Sequence, residues 1–341
     1  MQSYKIIIYI LILLLVSCKP KEENTGDKKT EVDSIVNPDI ENLSAAIRKD
    51  PTNAHNFYQR AIQQADLGNY IESVRDIDIA MQLDSTKPEF YTTQSDVYLV
   101  MGRPEEARSA LENSLDLFPQ DTLSLLKLGE FYYYLKDFLK AQQFINKTLD
   151  VDRFNDQAYF FKGLVYLETS DTTRAIQSFQ RAIEFNPDSY DSYMMLGDVY
   201  GAKHDSLAVD YFQNSINLRP NSTEARYKLA LFLQNHNDYY KSIDEYQKII
   251  GIEPAFKSSY FNIGYIYLEY LHQYEMAIPL FQKAYEIDPE YANAVYNEGL
   301  CYEFMKNYIK ARELYIKSIE IVPNFEYGIR GLNRLDELKK K

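Results

Sequence analysis

Tryptophan is absent from this chain of 341 residues, cysteine occurs twice and histidine four times. Two cysteines cannot build a disulfide scaffold, and four histidines leave little material for a metal centre, so neither a metal nor a cofactor is expected. Glycine and proline number twelve each, too few for an all-β protein made of many short strands. Cations are also scarce: 37 Lys and Arg stand against 50 Asp and Glu, a formal charge of −13. Such a surface repels phosphate backbones, so nucleic acid is not an expected partner. Tyrosine is what the chain has in excess, 31 residues beside 18 Phe. Apolar residues at 45% and charged residues at 26% are ordinary globular usage, which excludes a wholly disordered chain.

The N-terminus carries one charge, Lys5, before an unbroken apolar run from Ile6 to Val16. Eleven residues reach about half of a ~30 Å hydrocarbon core. The run is too short to span a membrane and suits the apolar part of an export signal over residues 1–17. Leu15-Val16-Ser17-Cys18 resembles the lipobox of bacterial lipoproteins, which implies that Cys18 is lipidated and becomes the first residue of the mature chain. Several acyl chains on one cysteine hold a protein at a membrane where a single chain does not. An unlipidated cysteine behind an ordinary signal peptide is the alternative. Residues 18–38 are predicted to be a tether, because Lys, Glu, Asp, Asn and Thr offer almost nothing to bury. Lys21-Glu22-Glu23 resembles the surface-export signal of Bacteroidota lipoproteins. The expected location is the cell envelope, anchored by lipid to the outer membrane, on the periplasmic face rather than the cell surface.

Prolines mark a period over the rest of the chain. Pro51, Pro119, Pro187, Pro220, Pro254, Pro289 and Pro323 stand at multiples of 34 within one residue, which divides residues 54–325 into eight units. One residue is missing from the fifth, near His204 to Leu207, and one is inserted in the seventh, near His272 to Glu275. The eighth position of every unit is small (Ala61, Ser95, Gly129, Gly163, Gly197, Ala230, Gly264, Gly299). So is the twentieth (Ser73, Ala107, Ala141, Ala175, Ala208, Ser242, Ala277, Ala311). Large apolar residues lie between them at helical spacing, as Tyr159, Tyr166 and Phe179 do, so each unit is predicted to be a pair of closely crossing helices.

The boundaries have matching chemistry. Asn53, Asp121, Asn155, Ser189 and Ser222 are predicted N-caps, Gly68 and Gly102 left-handed helix ends, and Pro104 the first residue of a second helix. Pro279 falls deeper, so its helix is expected to start late or bend. Asp39 to Lys49, within residues 39–53, reads as an N-terminal capping helix with Ile40, Leu43, Ala46 and Ile47 in register. Residues 326–341 read as a C-terminal one, with Ile329, Leu332 and Leu335 inward and Arg330, Arg334 and Glu337 outward. Caps are expected because an open end would expose an apolar face.

This pattern resembles the tetratricopeptide repeat (TPR), and the resemblance implies an all-α solenoid of about eight helix-turn-helix repeats. The chain departs from the family in lacking Trp at the fourth position, where Arg226 is the one polar residue and makes the packing of the sixth unit the least secure.

Nothing points to catalysis. Glycines are dispersed and form no phosphate-cradling loop, and no His lies in a nucleophile motif. His204, His236 and His272 fall in successive turns and read as exposed turn residues, Cys301 as a buried packing thiol, and the carboxylates as a solvated acidic face. The chain is not expected to be an enzyme.

In the family, the inner wall comes from the first helix of each unit, at its second, fifth, ninth, twelfth and thirteenth positions. The resemblance therefore implies a partner-binding groove lined by Tyr58, Asp96, Glu130, Tyr133, Tyr134, Phe160, Glu168, Asp198, Tyr227, Phe261, Tyr265, Glu269, Tyr296, Glu303 and Phe304. No Lys or Arg occupies a fifth or ninth position, so the cationic clamp with which some TPR domains hold a C-terminal carboxylate is missing. The expected ligand is a protein or peptide segment with apolar anchors and neutral or basic flanks. Packing of the aromatics between neighbouring repeats is the competing placement. The function that follows is a lipid-anchored scaffold or adaptor serving assembly or secretion complexes. A ligand-binding or sensory protein holding a small molecule or glycan is the alternative.

Overall fold

The computed structural model describes residues 37–339. The predicted export segment, Cys18 and the tether up to residue 36 lie outside the described residues. The described residues contain eighteen helices and no strand. The first, α1 (Pro38–Lys49), is the N-terminal cap; it begins one residue before the predicted boundary, because the Asn37 side chain accepts from the N–H groups of Asp39 and Ile40. Eight helix pairs follow: α2 (Ala54–Asp66) and α3 (Tyr70–Leu83), α4 (Pro88–Val100) and α5 (Pro104–Leu117), α6 (Thr122–Tyr134) and α7 (Phe138–Val151), α8 (Asp156–Glu168) and α9 (Thr172–Phe185). The next four are α10 (Tyr190–Ala202) and α11 (Leu207–Leu218), α12 (Thr223–Asn235) and α13 (Tyr239–Ile252), α14 (Lys257–Tyr265) and α15 (Tyr274–Ile287), α16 (Ala292–Phe304) and α17 (Tyr308–Ile321). The C-terminal cap is α18 (Glu326–Lys339). No helix among the described residues is long and apolar enough to cross a membrane.

The chain divides into two compact units, the first ending at Ser178 and the second beginning at Phe179. Within the first, the first helices of successive repeats lie side by side, α2 against α4, α4 against α6 and α6 against α8. Within the second, α10 and α12 do the same, as do α16 and α18.

The core of each repeat is its twenty-fourth residue. Ile77, Leu111, Ile145, Phe179, Phe212, Tyr246, Phe281 and Tyr315 are all buried, none more than 3% exposed. Burying one such side chain is worth about 1.5–3 kcal/mol. The small residue at the eighth position exists to make room for it: a Cβ on Gly197 would stand 2.5 Å from Cε1 of Phe212.

The turn between the paired helices is built one way in every repeat but the seventh. In the third repeat the Asp137 N–H reaches back to the Tyr132 carbonyl at 2.9 Å and the Lys136 N–H to Tyr133 at 2.9 Å, which forces Lys136 to φ 59°. Gly68 and Gly102 take this left-handed position as predicted, but Lys136, Ser170, His204, Asn237, His272 and Lys306 take it without being glycine. The three histidines are exposed in these turns. His236 adds a bond between its Nδ1 and the Phe232 carbonyl, 2.7 Å.

The two length irregularities are absorbed at different places. The missing residue of the fifth repeat shortens α11 to 12 residues. The extra residue of the seventh widens the end of its first helix into a π turn over Ile266–Tyr270, where the Leu271 N–H bonds five residues back to Ile266 and the Gln273 N–H six back to Tyr267. The insertion thus sits before His272 rather than after it.

Several expectations need correction. Of the two outcomes expected for Pro279, a late start or a bend, the late start does not occur: helix α15 opens at Tyr274 with Pro279 inside it. Pro279 and Glu275 are on the exposed face, where water can take up the Glu275 carbonyl that lacks its partner N–H. Asn53, Asp121, Asn155 and Ser222 cap their helices, but the Ser189 hydroxyl donates to Ser192 Oγ at 2.8 Å instead. In α18, Ile329 faces out at 39% exposure, whereas Leu332 and Leu335 pack inward as expected and Gly328 and Gly331 join them, because glycines let the backbone close on Tyr315. Arg334, expected outward, turns in toward Glu303 and Tyr315. Arg226 does not loosen the sixth repeat: it pairs with Glu245 at 2.8 Å, with both side chains largely buried, and donates to the Pro220 carbonyl.

Candidate functional site

In the first unit the wall of first helices carries Tyr58, Asp96, Glu130, Tyr133, Tyr134, Phe160 and Glu168. Tyr58 is spent on repeat packing. Its ring lies 4.6 Å from that of Phe90 and its hydroxyl 2.9 Å from Thr93 Oγ1, both in the next repeat. Asp96 accepts from Lys127 Nζ at 2.6 Å, again across a repeat boundary. Glu130, half-buried three residues beyond Lys127 on α6, has its carboxyl pushed up to about 7, first by burial and then by the charge of Asp96, with Lys127 opposing. Tyr133, Tyr134 and Phe161 form an edge-to-face group with centroids 5.4–6.5 Å apart. Burial and the neighbouring Glu130 raise the Tyr134 hydroxyl to about 12. Phe160 is half-buried with its centroid 5.5 Å from Phe161, and Glu168 is exposed.

In the second unit Asp198 accepts from Lys228 Nζ at 2.5 Å, the same contact in a different pair of repeats. Tyr227 packs against Tyr246 and Phe256, and its hydroxyl accepts from Asn262 Nδ2 at 3.2 Å. Phe261 lies 5.6 Å from Phe281 and 5.0 Å from Tyr291. Tyr296 is enclosed by Tyr315, Phe325 and Tyr327. Tyr265 is half-buried against Phe261, and Glu269 is exposed in the π turn. Glu303 is not an open groove carboxylate: it takes two hydrogen bonds from Arg334 and one from the Tyr315 hydroxyl, which ties α18 down. Phe304 is 51% exposed and stacks on Tyr274 at 5.2 Å.

A division by repeat position results. Fifth-position residues are taken up by packing: Thr92, Leu126 and Met194 are buried, Tyr58 and Tyr227 reach Thr93 and Asn262 of the next repeat, Phe261 packs on Phe281 and Tyr291 of its own repeat, and Tyr296 packs against Tyr327 of the C-terminal cap. At the ninth and thirteenth positions Asp96, Glu130, Asp198 and Tyr134 are half-buried, while Glu168 and Glu269 are exposed. The wall is also less acidic than its fifth and ninth positions imply, because Lys127 and Lys228, at the sixth, reach back to the preceding repeat. A reading confined to the fifth and ninth positions misses them, although the Asp-to-Lys spacing recurs in the sequence.

Elsewhere, Cys301 is fully buried with its thiol pushed up to about 12, in keeping with a packing role. A cleft of about 520 Å³ between Glu105, Arg108, Phe131, Tyr132, Leu135, Asp137 and Lys140 has its charges already paired, Arg108 with Glu105 and Glu112, and Lys140 with Asp137. Among the described residues no group of three or more His, Cys, Asp and Glu is placed to hold a metal ion.

Comparison with known proteins agrees with this architecture. The sequence pattern of the tetratricopeptide repeat matches residues 156–189, 258–291 and 292–325, and a second tetratricopeptide pattern matches residues 92–150. The first and last of those segments coincide with the fourth and eighth units of the 34-residue period. BBSome complex member BBS4 of Bos taurus is 24% identical over 222 residues, 63% of this chain and 42% of that protein. Anaphase-promoting complex subunit 3 of Schizosaccharomyces pombe is 27% identical over 188 residues, 55% of this chain and 28% of that one. The chain therefore spans less than half the length of either relative. Among solved structures, the C-terminal part of a TPR repeat-containing protein from Cytophaga hutchinsonii shares the fold at a TM-score of 0.55 and 16% identity, covering 81% of this chain and 99% of that one. By these matches, residues 92–150, 156–189 and 258–325 are tetratricopeptide repeats, within an all-helical chain of that fold.

Proposed function

We propose that this chain is an envelope adaptor, anchored by lipid at Cys18, that holds a segment of a partner protein against the first helices of its repeats and so recruits it to an assembly or secretion complex. The observation that carries the binding part is the wall of the first unit. The Tyr133, Tyr134 and Phe161 group supplies apolar contact area, while Glu130 and Glu168 offer carboxylates beside it. A rigid aromatic surface with charge at its rim is how a repeat wall binds an extended segment at low entropic cost. The named relatives belong to multi-subunit complexes, the BBSome and the anaphase-promoting complex, which accords with a scaffold. The anchoring part rests on the lipobox-like Leu15-Val16-Ser17-Cys18.

Two measurements test the reading. Cys18→Ser is expected to move the protein from the membrane to the soluble fraction, and unchanged partitioning removes the anchor. For the wall, crosslinked capture from detergent-solubilised membranes compares the native protein with Tyr134→Ala/Glu168→Ala. These side chains are preferred because Tyr227 and Phe261 are packed against other rings. A protein recovered with the native chain and lost from the folded variant supports the adaptor. Equal recovery from both moves binding off this wall, and saturable binding of an oligosaccharide with no captured protein favours the small-ligand alternative.

A further inference from the structure

The wall of the first unit holds two neighbouring carboxylates and one ammonium. Lys127 lies on α6 with Glu130 three residues later, on the same face, yet its Nζ is 2.6 Å from Oδ1 of Asp96 on α4. Lys127 therefore offsets Glu130 only in part, and Asp96 opposes the ionisation of Glu130. One turn farther along that face Tyr134 stands next to Glu130, with Tyr133 and Phe161 in edge contact with it. Glu168 of α8 also bears on Tyr133, again as an acid. Among the described residues Glu130 has no ion-pair partner of its own, and its setting is half-buried, where an uncompensated carboxylate is costly.

We propose that this position receives a lysine or arginine side chain of the partner segment, its charged end on Glu130 and its aliphatic stem along Tyr133 and Tyr134. The inference rests on the peptide-binding reading above and narrows it to a side-chain class. Long cationic side chains suit such a site because the stem packs on aromatic surface while the head keeps its charge partner, and a cation near a ring face gains further attraction. An acidic side chain would add another negative charge to the group, and a neutral one would leave Glu130 uncompensated.

The test uses Nα-acetyl-lysine methylamide as the probe and its norleucine analogue as the control, at matched ionic strength. Glutamate carboxyl carbons are followed by NMR on the full chain, and the Glu130 signal is assigned from its loss in Glu130→Gln. The lysine probe is expected to shift that signal saturably at millimolar concentration. At saturation it should lower the titration midpoint of Glu130 by about one pH unit, a tenfold linkage, while the norleucine analogue does neither. A Glu130 signal unmoved up to about 50 mM probe, or moved equally by both compounds, overturns the assignment. If the site is silent while capture still depends on Tyr134 and Glu168, the peptide reading stands and the cationic side chain alone is withdrawn.

Discussion

Lys127 and Asp96 sit in different repeats, and the 2.6 Å between Nζ and Oδ1 joins them across the inner wall. Lys228 and Asp198 form the same contact at 2.5 Å. The first pair is 31 residues apart in sequence and the second 30, the difference being the residue deleted from the fifth repeat. The helical face on which the two partners meet is unchanged by that deletion, because it is taken up in α11, away from the wall.

A double-mutant cycle on Asp96→Asn and Lys127→Met should give a coupling of about 0.5–1 kcal/mol at low salt, the range of partly exposed ion pairs. The coupling should shrink near 1 M NaCl, where the screening length is about 3 Å. Chemical denaturation measures it. Zero coupling at low salt would mean that the contact does not hold the two repeats in register.

Glu130 predicts a pH dependence of opposite sense to a paired carboxylate. Its folded value of about 7 lies above the unfolded value of about 4.3, so the folded chain keeps a proton that the unfolded chain releases. The stability this supplies is fully present below about pH 4 and is lost as pH rises through 7. Between pH 5 and 8 the native protein should lose on the order of 2 kcal/mol relative to Glu130→Gln. Urea midpoints at the two pH values give the comparison, and parallel profiles would show that the carboxyl is not shifted.

Two glycines in helices should respond oppositely to alanine. A Cβ at Gly197 meets the buried Phe212 ring, so Gly197→Ala should cost about 1–3 kcal/mol by overpacking. Nothing lies within 4 Å of a Cβ at Gly251, so Gly251→Ala should gain up to about 1 kcal/mol from helix propensity. Thermal melting distinguishes them, and a neutral Gly197→Ala would mean that the ring moves aside freely.

Lys136 occupies the left-handed position that Gly68 and Gly102 fill in other repeats. Lys136→Gly should therefore stabilise by about 1 kcal/mol, the cost of a left-handed residue with a Cβ. Loss of stability instead would show that the Lys136 side chain contributes more than its backbone strain costs.

The sequence by itself determined the repeat. A small residue at the eighth position, a small one at the twentieth and proline at the boundary recur because every unit must bring two helices equally close, and that local requirement is written into each 34-residue segment. N-caps at Asn53, Asp121, Asn155 and Ser222 were legible for the same reason, since a cap depends on residues two or three positions away. Tertiary structure alone decided which wall residues remain open to a partner. Tyr58, Tyr227, Phe261 and Tyr296 match the spacing of groove residues, but their partners, among them Phe90, Phe256, Tyr291 and Tyr327, lie about 30 residues away in sequence. The inward turn of Arg334 onto Glu303 likewise depends on how closely Gly328 and Gly331 let the last helix approach. Spacing within one helix tells which face a side chain shares, whereas burial depends on what the next repeat places against that face.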